Sequence, residues 1–485
     1  MSNIKFETIG NATIICYDKT PILVTDPWFK GAPYFGSWGL SHEIPAEQLE
    51  AIKSCEYVWI SHGHQDHLMP DSIGALKKKK ILLPDHRGSR IKNDLAEHGF
   101  DVYVLKDKEW VQLSENIRIM CLSDYNQDAI LLIDINGRLI INMNDAPGLG
   151  WNHFVRETVK RYPVSFHLKL YAGYADMCNF YDEDGNHLRP LAKEASPFSW
   201  GQTICRDTEH LGAKYFIPFS SFHQMTRTDS AWLSDYLIAP SDYVDGFTSD
   251  KCKLLPAFVQ YDCCKDIWLA LEPEKIASNL KDPKEFGDDW NEQLEKSNVE
   301  AANQYFKSIE HLHGFLDFIN LKVGGQDNII EFNKKGFDRG LTFEAPRASL
   351  MASINYQVFD DILIGNFMKT TLHGKWSETP LYPDFSPYVA KYADNGKAKS
   401  EEELSAYFKD YKKRMGIKGV VDIFQQKIEK NSKNSFRSWV AEDSAVYKLS
   451  KNFITAFAST RLLQRSQTNA LFENVVSDKK TGFFL

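Results

Sequence analysis

The chain reads as an α/β (α+β) protein, a layered N-terminal half in which strands alternate with helices and an α+β C-terminal half. Three observations carry this reading. Residues 5–10, 12–17 and 22–25 are closely spaced apolar runs, the hairpin opening of a β-rich layer. Helix signals then fall between further short apolar runs. Asn136-Gly137 separates two of those runs as a tight hairpin turn, because both residues tolerate positive φ.

In order along the chain, 46–53 is a helix and 57–60 (Tyr-Val-Trp-Ile) a buried strand. Pro70-Asp71 opens a helix expected over 71–79, whose lysines at 77–80 read as its solvated end, where cations suit the helix dipole. Strands follow at 80–84, 102–105, 117–122 and 129–135, with another at 166–171, and 172–181 carries the chain over the face bearing the histidines described below. Loop signals between 242 and 289 place a division near 245, giving units 1–245 and 246–485. In the second unit, apolar spacing from Leu294 to Leu316 predicts a long amphipathic helix over 290–318. Strands at 315–323 and 328–332, a helix at 346–357, a loop at 382–396 and a helix at 401–415 complete it. This unit reads as a lid or substrate domain.

Length and composition set the class. At 485 residues the chain holds two to three domains of roughly 100–200 residues each. Apolar residues at 43% and charged residues at 25% suit a globular protein with large cores. The net charge of −8 argues weakly against nucleic acid or an anionic membrane surface as the main partner, and a small-molecule substrate is what the resemblance given below implies. No apolar run reaches the ~20 residues of a spanning helix, and the first residues lack a signal layout. Eight cysteines without framework spacing suit a reducing cytoplasm.

The chemistry concentrates in Ile60-Ser61-His62-Gly63-His64-Gln65-Asp66-His67. On extended backbone, side chains two apart share a face, so His62 and His64 can converge on one ion. A sharp turn would bring Asp66 and His67 to a second position a few ångströms away. Imidazole and carboxylate suit zinc, iron or manganese. His311 and His313 also lie two apart, but on an expected helix, where they face apart and make poor joint ligands.

This H-x-H-x-D-H motif resembles that of the metallo-β-lactamase superfamily, whose fold is a four-layer αββα sandwich. Thr25-Asp26-Pro27-Trp28 resembles the family's supporting turn, and the strand 139–145 ends in Asp145, where the family carries the aspartate bridging two metals. The run from Tyr215 resembles the last strand of the sandwich, with His223 as terminal ligand. Residues 60–68, Asp26-Pro27-Trp28, Pro218-Phe219 and 360–365 are most similar to the metal domain of CMP-N-acetylneuraminate hydroxylase-like proteins. The resemblance implies two divalent ions, zinc or iron with manganese as a third option, the first held by His62 and His64, the second by His67 and His223. Asp66 would ligate the second ion or hold the reacting water, as the catalytic group. Asp26 would orient a ligand histidine.

Two departures from the pattern matter. Where the family supplies a third histidine to the first metal, this chain has Asp124, with Asp128 as the other carboxylate in reach. A carboxylate there shifts preference toward iron or manganese; without one the site could be mononuclear. The hydroxylases also carry a Rieske iron–sulfur domain, recognised by paired Cys-x-His and Cys-x-x-His segments, and this sequence has no such pair. Three readings result. The first is a hydrolase of a phosphorylated, ester-like or nucleotide-sugar molecule acting through a metal-activated water. The second is a non-haem di-iron oxygenase with a separate electron donor, and the third a non-catalytic, metal-stabilised binding protein. Arg227, just past His223, is the candidate to clamp an anionic substrate group.

Overall fold

Strand Ala129–Ile135 is buried at every position, and its neighbours Ile117–Ser123 and Arg138–Asn144 are buried at all but one each. Strands with no wet face require cover on both sides. The computed structural model describes residues 4–436 apart from 125–126, 149, 172–176, 189–198, 333–335, 337, 377–380, 382–384, 387 and 390–399. The expectations for most of 382–396, for the start of 172–181 and for the chain past 436 lie outside the described residues.

These strands belong to a seven-stranded sheet, ordered Lys253–Leu254, Tyr215–Pro218, Ser165–Lys169, Arg138–Asn144, Ala129–Ile135, Ile117–Ser123, Val111–Gln112. Facing it is an eight-stranded sheet, ordered Ile267–Ala270, Val259–Asp262, Ile4–Ile9, Thr13–Asp18, Thr20–Thr25, Tyr57–Trp59, Lys80–Pro84, Asp101–Leu105. Asn136 (φ 49°) and Gly137 (φ 76°) both take positive φ, the primed turn expected between the paired strands. Between the sheets, Phe6, Ile14, Leu23 and Trp59 meet Leu131, Ile133, Phe166 and Leu168. Helices Ala46–Ser54, Pro70–Ala75 and Arg90–Glu97 cover the outer face of the eight-stranded sheet through Ile52, Ile73 and Leu95. Helix Asn152–Val159 covers the other sheet through Val155 and Val159. The order of layers is α, β, β, α.

Strands Lys253–Leu254, Val259–Asp262 and Ile267–Ala270, all past the expected division at 245, extend the two large sheets. A third, five-stranded sheet follows, with helices Lys296–Lys307, Arg347–Asn355 and Phe359–Ile364. Its apolar residues, including Ile319, Leu341 and Phe359, form one continuous cluster with Leu132, Ile141 and Trp151 of the sandwich.

The helix expected over 290–318 is shorter. It begins where Glu295 and Asn298 cap each other and ends before Ser308, whose hydroxyl donates to the Tyr305 carbonyl at 2.7 Å. Ile309, Leu312 and Leu316 remain buried from a tight turn over Glu310–Gly314, so their spacing reported burial rather than helix. The helix expected over 71–79 stops at Ala75, past Gly74 and ahead of the lysine run. Among the described residues, no helix is long and apolar enough to cross a membrane.

Candidate metal centre

Parallel strands Thr20–Thr25, Tyr57–Trp59 and Lys80–Pro84 end on the same side of their sheet, and so do Arg138–Asn144 and Tyr215–Pro218 of the facing sheet. Loops leaving those ends carry the polar residues, the usual place for a site in such folds. Asp26 follows the first strand, His62 to His67 the second, His86 the third, Asp145 the fourth, and Ser220 and His223 the fifth.

Nε2 of His62 lies 3.0 Å from Nδ1 of His64 and 3.8 Å from Oδ2 of Asp145. The same Oδ2 lies 3.4 Å from Nε2 of His67, so it stands between the two histidines, while Oδ1 accepts the Ser220 hydroxyl at 2.8 Å. Oδ2 of Asp66 is 3.1 Å from Nε2 of His67 and accepts from the Asn11 amide at 2.9 Å; Oδ1 accepts the Tyr34 hydroxyl. Asp26, fully buried, accepts the Ser61 amide and faces Nδ1 of His67 at 3.3 Å. Asn144 donates to Asp26 at 2.6 Å and to the Ser61 hydroxyl at 3.0 Å, tying the two sheets together beneath the histidines.

Electrostatics follow from this crowding. Burial works to raise the Asp66 pKa, but the attraction of His67 and the hydrogen bonds of His67 and Tyr34 outweigh it and hold the carboxyl ionised well below its usual range. Burial pulls the other way on His67, where Asp66, Asp145 and Asp26 win and raise its affinity for a proton. Metal and proton compete for the same lone pairs, so a cluster that attracts one attracts the other. Burial depresses His62 strongly, reinforced by its histidine neighbours, and pushes His223 down to about 4 against the pull of Asp66 and Asp145.

His223 tests whether these residues suit a metal. Its ring stacks on Trp38 at 3.6 Å, and both ring nitrogens are buried without a hydrogen-bond partner among the described residues. Orphaned buried nitrogens are costly, and a cation would satisfy one of them. His62, His64 and Asp145 also offer ligand atoms within 4.8 Å of one another. The fit is good.

The structure thus gathers His62, His64, Asp66, His67 and Asp145, with Asp26 behind His67 and His223 within reach of the charges of Asp66 and Asp145. Of the two carboxylates considered for the absent third histidine, Asp128 approaches His62, but on Nδ1 (3.6 Å), opposite the nitrogen facing Asp145. That nitrogen shares its hydrogen bond with the Ser61 hydroxyl at 2.9 Å, and the Asp128 charge stands behind it. Asp124 is buried beside it, its amide donating to the Asp128 carbonyl at 3.0 Å.

Arg227 is a correction. It is 0% exposed, forks onto Asp229 at 2.9 and 2.8 Å, and donates to Asp288 at 2.6 Å and to the Phe35 carbonyl at 2.8 Å. A guanidinium so committed holds the fold and offers nothing to a substrate. Arg87 and Arg90 likewise donate to main-chain carbonyls of Ala406, Tyr356 and Gln357.

Sequence reasoning missed Asn11, Tyr34, His86, Asn144, Ser220 and the pair Asp360-Asp361. His86 was findable, since it follows a strand parallel to the one before the motif; it lies 3.4 Å from the Ser61 carbonyl and 3.2 Å from the Tyr411 hydroxyl. Asp360 lies 3.2 Å from Nε2 of His64, across 296 residues of sequence, and nothing local announces that contact.

No family model matches the chain. Cytidine monophosphate-N-acetylneuraminic acid hydroxylase of Asterias rubens is 29% identical over 133 residues, 26% of this chain and 20% of that protein. The Sus scrofa protein of that name is 28% identical over 132 residues, 25% of this chain and 30% of that one. The matching stretch thus spans less than a third of the length of these relatives. Among solved structures, a possible metal-dependent hydrolase from Veillonella parvula aligns with a TM-score of 0.37 at 13% identity, covering 56% of this chain and 100% of that one. CmlA, a diiron β-hydroxylase from Streptomyces venezuelae, aligns with a TM-score of 0.34 at 13% identity, covering 56% and 55%. About a quarter of the chain is therefore similar to CMP-N-acetylneuraminic acid hydroxylases, and its fold is a mixed α/β, four-layer arrangement that gathers residues able to hold a metal ion.

Proposed function

We propose that this protein is a metal-dependent hydroxylase of a small polar molecule, with iron as its metal and a separate electron donor. Sequence alone put hydrolysis first; two findings reverse that order. The relatives matched by sequence are named hydroxylases. The observation that carries the reading is the ligand set, in which the carboxylates Asp66 and Asp145 stand among His62, His64 and His67. Oxygen donors mixed with imidazole suit iron or manganese as well as zinc.

On this reading His62, His64 and Asp145 would hold one ion, and Asp66, His67, His223 and the shared Asp145 the other. Iron held there would supply the one-electron and dioxygen chemistry of hydroxylation. The chain's own residues prepare the place. Tyr34 and Asn11 keep both oxygens of Asp66 fixed, Ser220 aims Asp145, and Asp26 holds the His67 ring. The side chains of His64 and Asp145 are 27% and 21% exposed, more open than those of His62, Asp66 and His67, so a substrate would approach from their side.

The second reading is hydrolysis, favoured by the lack of paired Cys-x-His and Cys-x-x-His segments in this sequence, since hydrolysis requires no electrons. Elemental analysis of protein purified under nitrogen, followed by oxygen uptake after chemical reduction, separates the two. Two irons per chain and stoichiometric oxygen uptake support the hydroxylase. Zinc, no oxygen uptake and turnover of bis(p-nitrophenyl) phosphate would replace it with the hydrolase.

A further inference from the structure

Asp360 and Asp361 are adjacent residues of the short helix Phe359–Ile364, 1% and 2% exposed. Each reaches a different residue of the metal motif. Oδ2 of Asp360 lies 3.2 Å from Nε2 of His64, and Oδ2 of Asp361 accepts from the Gln65 amide at 3.0 Å. Gln65 in turn accepts the Tyr34 main-chain amide at 2.7 Å, and the Tyr34 hydroxyl donates to Asp66. One carboxylate therefore addresses His64 of the first ion position, and its neighbour, through two residues, addresses Asp66 of the second.

A helix this short has little use for two acidic residues turned inward. Oδ1 of Asp360 is buried with no hydrogen-bond partner among the described residues, a costly arrangement for a carboxylate unless positive charge lies close by. Its ligand atom, one of Asp361 and one of His64 all lie within 4.8 Å of one another. A ring N–H donated to a carboxylate fixes the tautomer of His64: with Nε2–H given to Asp360, the Nδ1 lone pair points at Nε2 of His62, 3.0 Å away.

We infer that the Asp360-Asp361 pair is the outer support of the metal centre, Asp360 positioning His64 for one ion and Asp361 positioning Asp66 for the other. This rests on the metal-centre reading above. It gives the C-terminal half a role in metal binding: the seating of helix Phe359–Ile364 and the filling of the two ion positions favour each other.

The test is titration of metal-free full-length protein with cobalt(II), followed by its visible absorption, with far-UV circular dichroism as a check on folding. His62→Ala and His67→Ala serve as markers for the two positions. Asp360→Ala is expected to weaken the ion that His62→Ala removes, by about 10–100-fold, and to leave the other unchanged. Asp360→Asn, which keeps an acceptor for the ring N–H, should recover part of that loss. Asp361→Ala is expected to weaken the ion that His67→Ala removes. Unchanged cobalt binding in folded Asp360→Ala, or equal loss of both ions from either aspartate variant, overturns the inference. A wild-type chain that binds no cobalt overturns the metal-centre reading itself, and this one with it.

Discussion

Oδ2 of Asp26 lies 3.3 Å from Nδ1 of His67 while its Oδ1 accepts the Ser61 amide at 2.8 Å, so one buried carboxylate sets both the ring and the backbone of the motif. Asp26→Asn keeps the shape and removes the charge, and should lower metal affinity at the His67 position about 10–100-fold. Asp26→Ala additionally strands the Ser61 amide, at a cost of about 1–3 kcal/mol for a buried group left unpaired, and costs Asn144 one of its hydrogen bonds. Cobalt titration and thermal unfolding of both variants check the two effects separately.

His223 presents the opposite balance. Its ring nitrogens are buried and unpartnered among the described residues, and its stacking on Trp38 needs only an aromatic plane. His223→Phe should therefore unfold, without metal, at a temperature equal to or above that of the wild type, yet bind metal far more weakly. Calorimetry in chelator and again with added metal reads both. Marked destabilisation in chelator would show that the ring serves the fold instead.

Arg227 joins the segment after His223 to Phe35, Asp229 and Asp288. Arg227→Ala leaves Asp288, 1% exposed, without its ion-pair partner, and should destabilise by about 3–5 kcal/mol. Arg227→Lys cannot fork onto Asp229 and should recover only part of this. Denaturant unfolding gives the cost; a substrate-binding role would instead show as a raised KM with unchanged stability.

Asp107 provides a pH signature. Burial pushes its carboxyl up to about 6, outweighing the Ser123 amide, which it accepts at 2.6 Å, and Arg414 at 3.6 Å. An acid whose folded pKa is raised contributes most below its ordinary value near 4, and the protein loses that stability as pH rises from about 4 to 6. Asp107→Asn removes the titration, so its advantage over wild type should be absent below pH 4 and reach on the order of 2 kcal/mol above pH 6. Unfolding curves across that range decide it; a constant difference would assign the effect to packing.

The layered architecture and the heart of the site were legible in sequence because their determinants are local. Alternating strand and helix signals, the Asn136-Gly137 turn and four ligand-type residues within six positions depend on periods of 2 and 3.6 and on turn chemistry, which act over a few residues. Asp145 and His223 were reachable because each follows a recognisable strand. The rest depended on contacts between distant segments. Arg227 could be a clamp or a buried strut, and only Asp288, 61 residues away, makes it a strut. The spacing of Ile309, Leu312 and Leu316 reports burial, and whether it is met by helix or turn was decided by Ser308 and the surrounding core. Asp360 and Asp361 entered the sequence reading only within the stretch 360–365 similar to the hydroxylases, and only the tertiary fold brings them to His64 and Gln65 across 296 residues each. Short-range physics wrote the motif into the chain; the supports that hold each ligand come from chain segments that only packing brings together.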